Sequence, residues 1–175
     1  MSLGERRTET LRSPEKENHN RLLLYTGVSC SGKDYLLDRA MANLSDIELQ
    51  RLSMGTFISE QLKIHRDGVR DQMNLQEIEQ FKMDVVAPEV IAQQPAVLVT
   101  HIVPKYNHVI TMNPDYEKAL NPSHFVAVVS DPELIQAWRI ARNETGYRFS
   151  PPEDLDTIAL HQEMVTTNTY IIAKH

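Results

Sequence analysis

Leu22-Leu-Leu-Tyr-Thr-Gly27-Val-Ser-Cys-Ser-Gly32-Lys33-Asp34 is the stretch that decides the fold. From Arg21 to Thr26 it is a short apolar run that stops at Gly27, the signature of a strand buried in a parallel sheet. From Lys33 to Asn43, Leu36, Leu37, Ala40 and Met41 are spaced for one helical face. Between strand and helix lies G-x-x-x-x-G-K, with Gly27, Gly32 and Lys33 in register. Glycines let the backbone turn tightly enough for its N–H groups to surround a phosphate. A helix N-terminus adds positive partial charge at the same spot. Lys33 is placed to reach β- and γ-phosphates as a mobile point charge. The candidate nucleotide-contacting residues are therefore Gly27, Val28, Ser29, Cys30, Ser31, Gly32, Lys33, Asp34 and Tyr35.

Asp34 stands where a Ser or Thr hydroxyl usually ligates Mg²⁺. A carboxylate is also a hard oxygen ligand for that ion, and Asp34 is the candidate metal residue. The same aspartate also suits a helix first turn with no metal at all.

Outward from this unit, strands and helices alternate. Ile47 to Ser53 reads as a strand, Thr56 to His65 as a helix, and Leu75 to Gln93 as a helix with Pro88 as a kink or break. Ala96 to His101 is a second buried strand. Val103 to Pro122 has little periodicity and reads as a long loop with a short helix near Tyr116–Leu120. Phe125 to Val129 is a further strand. Asp131-Pro132-Glu133 then opens a helix running to about Asn143, with Asp as cap and Pro in the first turn. Gly146 to Pro152 is a loop, and Asp154 to about Ala173 is helical. This order predicts an α/β fold with a parallel sheet in three layers.

A chain of 175 residues fits one domain, here 21–175 after a polar tail at 1–20. With 41% hydrophobic and 24% charged residues it has the composition of a globular protein. A net charge of −6 argues against a general nucleic-acid or anionic-membrane surface. Cys30 is the single cysteine, so no internal disulfide forms and a reducing compartment fits. No apolar stretch has the length of a membrane span, and Met1–Asn20 lacks a secretory segment. The expectation is a cytoplasmic protein that engages neither membrane nor nucleic acid. Composition leaves its oligomeric state open.

Two further groups of residues bear on chemistry. Arg139 and Arg142 share a helix face, and Arg148 follows in a loop with Gly146, Tyr147 and Phe149. Phosphoryl transfer needs cations at the migrating group, and a closing loop can supply them while excluding water. A solvated basic face beside an ordinary loop would carry the same residues. Ser53-Met-Gly55-Thr56-Phe57 and Arg70-Asp71-Gln72-Met73 are candidates for holding the phosphate acceptor, although Gly55 also suits a simple turn and Arg70 a surface position.

Taken together these residues resemble archaeal-type adenylate kinase, a member of the P-loop nucleoside monophosphate kinases. The resemblance runs from about Leu22 to Gln162. It rests on Thr26-Gly27-Val28 with the loop, Met54-Gly55-Thr56, Arg70-Asp71-Gln72-Met73, Thr100-His101, Leu120-Asn121-Pro122 and His161-Gln162 in family order. It implies a P-loop kinase fold with a small acceptor-binding lobe at about 53–94 and a lid at about 139–154. It implies MgATP at the loop and AMP near Gly55, Thr56, Arg70 and His101. Lys33, Arg139, Arg142 and Arg148 take the catalytic cation positions. The chain departs from the family at Asp34, at Val99 where the family has an acidic residue, and at Val165-Thr166-Thr167 where it has Asn-Arg. His175 falls about where the family's last strand is expected to begin. A P-loop kinase for a deoxynucleotide or a small metabolite, and an ATP-binding module without turnover, are the other readings.

Overall fold

Three apolar runs lie side by side at the centre of the molecule. The computed structural model describes residues 21–44, 46–63, 73–102, 105–106, 109–110, 115–146 and 153–174. In it β1 (Leu22–Gly27) pairs in parallel with β3 (Ala96–Thr100) on one side and β6 (His124–Val128) on the other. Strand β2 (Gln50–Ser53) adds outside β3, giving the order β2-β3-β1-β6. Thr26 sits opposite Thr100, and Gly27 opposite Val128. The C-terminal ends of β3, β1 and β6 therefore finish at one end of the sheet.

Alternate residues of a strand point to opposite faces, and both faces are covered. Leu22, Leu24, Leu52, Ala96 and Leu98 pack against α2 (Met54–Leu62), α3 (Leu75–Phe81), α4 (Ala87–Ala92) and α5 (Asp115–Leu120). Tyr25, Val97, Val99 and Val128 pack against Leu37 and Met41 of α1 (Lys33–Ala42) on the other face. A further cluster joins Val28, Ile102 and Phe125 to Ile135 of α6 (Pro132–Glu144) and to Ile158, Val165 and Ile172 of α7 (Leu155–Ala173). The architecture is α/β with an all-parallel four-stranded sheet between helical layers. No described helix is long and apolar enough to cross a membrane.

The differences from the sequence expectations are local and have local causes. Strand β2 is shorter than 47–53, because Ile47 donates to Leu44 O in a turn. Helix α2 starts at Met54, ahead of the expected Thr56. Pro88 does not end its helix: helical segments follow one another without a gap from Leu75 to Ala92. It stands in the first turn of α4, and the turn before it, Lys82–Val86, widens to a π-helix in which the Ala87 N–H reaches Lys82 O. Pro88 has no N–H to give the Asp84 carbonyl, and a wider turn accommodates that loss. The long loop contains an antiparallel pair, β4 (Lys105–Tyr106) and β5 (Val109–Ile110), before α5. The tail 1–20, Arg70, Arg148 and residues 147–152 of the expected lid lie outside the described residues.

Candidate active site

The loop after β1 owes its shape to two glycines. A Cβ at Gly27 would lie 2.7 Å from Ser31 Oγ and 2.8 Å from the Val128 carbonyl, so no side chain fits there. Gly32 has φ 76°, a left-handed conformation that costs other residues energy. Cys30 adopts a similar φ of 66° without that freedom. Between them the Ser31 N–H donates to Val28 O at 3.2 Å, and Leu36 N–H to Gly32 O at 3.0 Å. Gly32 is the N-cap of α1 and makes no side-chain cap bond, and Asp34 is the acidic residue of the first turn.

Three neighbouring elements fix this loop. From the end of β3, His101 Nδ1 lies 2.8 Å from the Gly27 carbonyl. A carbonyl can only accept, which makes Nδ1 the protonated nitrogen. After β6, Ser130 Oγ donates to Ser31 O at 2.7 Å. Gln162 on α7 clasps Ser130 in turn: the Ser130 N–H donates to Gln162 Oε1, and Gln162 Nε2 donates to Ser130 O. From α6, Arg139 Nε and Nη2 donate to Ser29 O at 3.4 and 3.3 Å, and its Nη1 pairs with Glu153 at 2.8 Å. Arg139 is 6% exposed. Its guanidinium holds the loop from behind, whereas Arg142, one turn on, reaches Ser29 Oγ with Nη1 and Nη2 and lines the cleft in front.

That cleft, of about 870 Å³, opens between the loop and α2. Ser29, Cys30, Gly32, Lys33, Asp34, Tyr35, Thr56, His101 and Arg142 all line it, so nine of the candidate site residues singled out in the sequence meet in one place. Gly55, in the first turn of α2, is not on its wall. Lys33 is 6% exposed, with Nζ 3.8 Å from Asp34 Oδ2. Asp34 Oδ1 accepts from Arg51 Nη2 at 2.8 Å, and Arg51 Nη1 also pairs with Asp38. Burial, and then the Asp34 carboxylate, push the Tyr25 phenol above its ordinary range. No group of three or more metal-ligating side chains occurs among the described residues, so Asp34 offers one hard oxygen and not a cage. Val99, where the resemblance leads one to expect a carboxylate, is packed with Tyr25 and Leu37.

Sequence reasoning missed Arg51, Ser130 and Glu153. Arg51 was legible only as one residue of an alternating strand, and its partners Asp34 and Asp38 come from α1. Ser130 and Glu153 act through backbone and charge across long sequence distances that no local pattern encodes. No protein-family model matches the chain, and no curated protein matches it.

Proposed function

We propose that the chain is an ATP-dependent phosphotransferase of the P-loop kinase type, a nucleoside monophosphate kinase that passes the γ-phosphoryl of ATP to AMP. The observation that carries this reading is the placement of the loop. It lies at the C-terminal edge of the central strand, where the chain leaves β1 and β3 in opposite directions across the sheet, the crevice in which open α/β sheets bind ligands. Loop N–H groups and the uncapped start of α1 suit the donor phosphates. Lys33 and Arg142 suit the charge that spreads over the migrating group.

In this reading an acceptor phosphate oxygen bonds to the γ-phosphorus as the bond to the β,γ-bridging oxygen breaks, and ADP leaves. The protein forms no covalent bond to either substrate, so its contribution is positioning and charge. Asp34 is the residue that would offer a carboxylate oxygen to Mg²⁺, which when bound would supply positive charge against the donor phosphates. One hard carboxylate fits that ion, which is usually held by one or two carboxylates plus substrate phosphates.

A second reading, a kinase for an uncharged hydroxyl acceptor, draws on the far wall of the cleft. Glu60 and Glu89 stand there, and the one described cation on that side, Arg51, is already held by Asp34 and Asp38. A coupled assay for ADP with AMP, other nucleoside monophosphates, deoxynucleotides and polyols distinguishes the two. ADP formation that depends on AMP supports the leading reading, and formation that depends only on a polyol supports the second. ATP binding with no transfer to any acceptor leaves a nucleotide-binding module and overturns both.

A further inference from the structure

Trp138 is the only tryptophan in the chain. It lies on α6, one residue before Arg139, and its ring packs against the glycine that starts α1. Its Cζ3 and Cη2 atoms stand 3.6 and 3.7 Å from where a Cβ on Gly32 would be. Yet 44% of this large apolar side chain stays exposed. Leu134, one helical turn earlier on the same face, is half exposed, and so is Val129 just before the helix. Tyr35, on the first turn of α1, is 62% exposed, and its hydroxyl accepts from Arg39 Nη1 at 2.9 Å. An aromatic surface thus flanks the helix end of the loop, while Trp138 takes no part in the wall of the cleft shared with Thr56.

We propose that Trp138 is the platform on which the base of the phosphate donor stacks. The proposal rests on the reading of Gly27–Tyr35 as a phosphate loop and adds to it the part of the donor beyond the phosphates. In such loops the backbone cradles the α- and β-phosphates, while the lysine reaches the β and γ. The γ end therefore points into the cleft, toward the acceptor. The α end leaves past Gly32, at the rim of the cleft where the Trp138 ring lies, and carries sugar and base toward that ring. The helix that bears Trp138 is itself tied to the loop through Arg139 and Arg142, so the ring is held at a fixed distance from the phosphates. Stacking on an indole discriminates a nucleotide from a bare polyphosphate and tolerates different bases, because every base has a π-face. The donor site on this view accepts a purine nucleoside triphosphate with little discrimination between adenine and guanine.

A single tryptophan makes the test direct. The full chain is titrated, with Mg²⁺ present, with ATP, with GTP and with inorganic tripolyphosphate. Binding is measured by calorimetry and by Trp138 emission. ATP and GTP are expected to change the emission saturably, and tripolyphosphate to bind more weakly and change it little. Trp138→Ala should weaken ATP binding by roughly 5- to 150-fold, the range that corresponds to base–aromatic stacking. It should leave tripolyphosphate binding as it was. Trp138→Phe keeps an aromatic face and should keep most of the ATP affinity, which separates stacking from a packing defect. If Trp138→Ala binds ATP as tightly as the wild type, the stacking proposal is wrong and the phosphate loop stands. If neither ATP nor tripolyphosphate binds, or Lys33→Ala binds both unchanged, the loop reading falls and the proposal falls with it.

Discussion

The two helix N-termini beside the cleft differ from three that lie away from it. Helix α3 opens with a capping box, in which the Asn74 side chain accepts from the Glu77 N–H and Glu77 reaches back to the Asn74 N–H. Helix α6 opens with Asp131 accepting from Glu133 N–H, and α7 with Asp154 accepting from Thr157 N–H. Helix α1 opens with Gly32 and α2 with Ser53, and neither makes a side-chain cap bond. A cap typically contributes ~1 kcal/mol. It also occupies donors that could otherwise meet an anion. Away from the cleft these helix ends are closed by side chains; at the cleft the two N-caps, Gly32 and Ser53, leave the first N–H groups without a side-chain cap. The difference fits a donor phosphate at α1 and an anionic acceptor at α2, and it weighs against the acidic wall formed by Glu60 and Glu89.

The comparison can be broken most sharply at Lys33. If the α1 end is a phosphate site, Lys33→Ala should lower turnover by ~10³-fold, as for other single cations at a transferring phosphoryl group. The fold should survive, because Lys33 lines the cleft. Steady-state kinetics beside thermal unfolding would check both halves. Undiminished turnover would show that the open end of α1 is not where transfer takes place.

Next in size is a change behind the loop. Arg139 and Glu153 are both nearly buried and pair at 2.8 Å. Removing one partner of such a pair leaves an uncompensated charge and costs about 3–5 kcal/mol. Arg139→Ala should therefore lower the urea midpoint strongly, while Arg142→Ala, on the cleft side, should barely move it and should act on turnover instead. Equal stability losses in the two variants would erase the division between a holding and a facing arginine.

Much of this division could not be read from the sequence, and the reason is physical. The strand–loop–helix unit was legible because its signals are local: an apolar run, glycines at fixed offsets, and a helical face. The spacing of Arg139 and Arg142 correctly put both on one face. It carried no information about which would be buried, because burial depends on Glu153 and Ser29 arriving from elsewhere in the chain. Glu117 makes the same point. In Asp115-Tyr-Glu-Lys it looks like a solvated helix charge, yet it is 2% exposed. Burial pushes its carboxyl up to about 7, against the opposing pull of Lys82. The two-residue strands escaped notice because so short a pair has no period. The π turn at Lys82–Val86 was foreshadowed by Pro88, although a proline alone does not say whether a helix will break or widen.

A third, smaller change concerns Asp34. If it supplies the one protein oxygen to Mg²⁺, Asp34→Thr should raise the Mg²⁺ concentration needed for half-maximal turnover more than it weakens metal-free nucleotide binding. The substitution also frees Arg51 from one of its two carboxylates. Asp38→Asn serves as the control, since it loosens Arg51 without touching the metal position. If the two variants shift the Mg²⁺ dependence equally, Asp34 acts through Arg51 and not through the ion.

The smallest expected effect tests the comparison on its own terms. Asp154 accepts from Thr157 N–H at 2.6 Å, so Asp154→Ala removes a cap and should cost ~1 kcal/mol by denaturant unfolding. Ser53 occupies the same position on α2 without the bond. Ser53→Ala should therefore leave stability unchanged. Ser53→Asp goes the other way, placing a carboxylate at the open end, where it both caps the helix and complements its dipole, for a gain of about 0.5–1 kcal/mol. That same carboxylate would occupy the donors and repel an anionic acceptor. The variant should be more stable, with an acceptor KM that rises while the KM for ATP stays near its original value. Opposite signs in stability and acceptor affinity are hard to obtain unless the α2 end is held open for a ligand. A Ser53→Asp protein that gains stability and keeps its acceptor KM would mean that the missing cap on α2 has nothing to do with the acceptor. A Ser53→Ala protein as destabilised as Asp154→Ala would mean that α2 is capped after all, and the contrast between the two sets of helices would disappear.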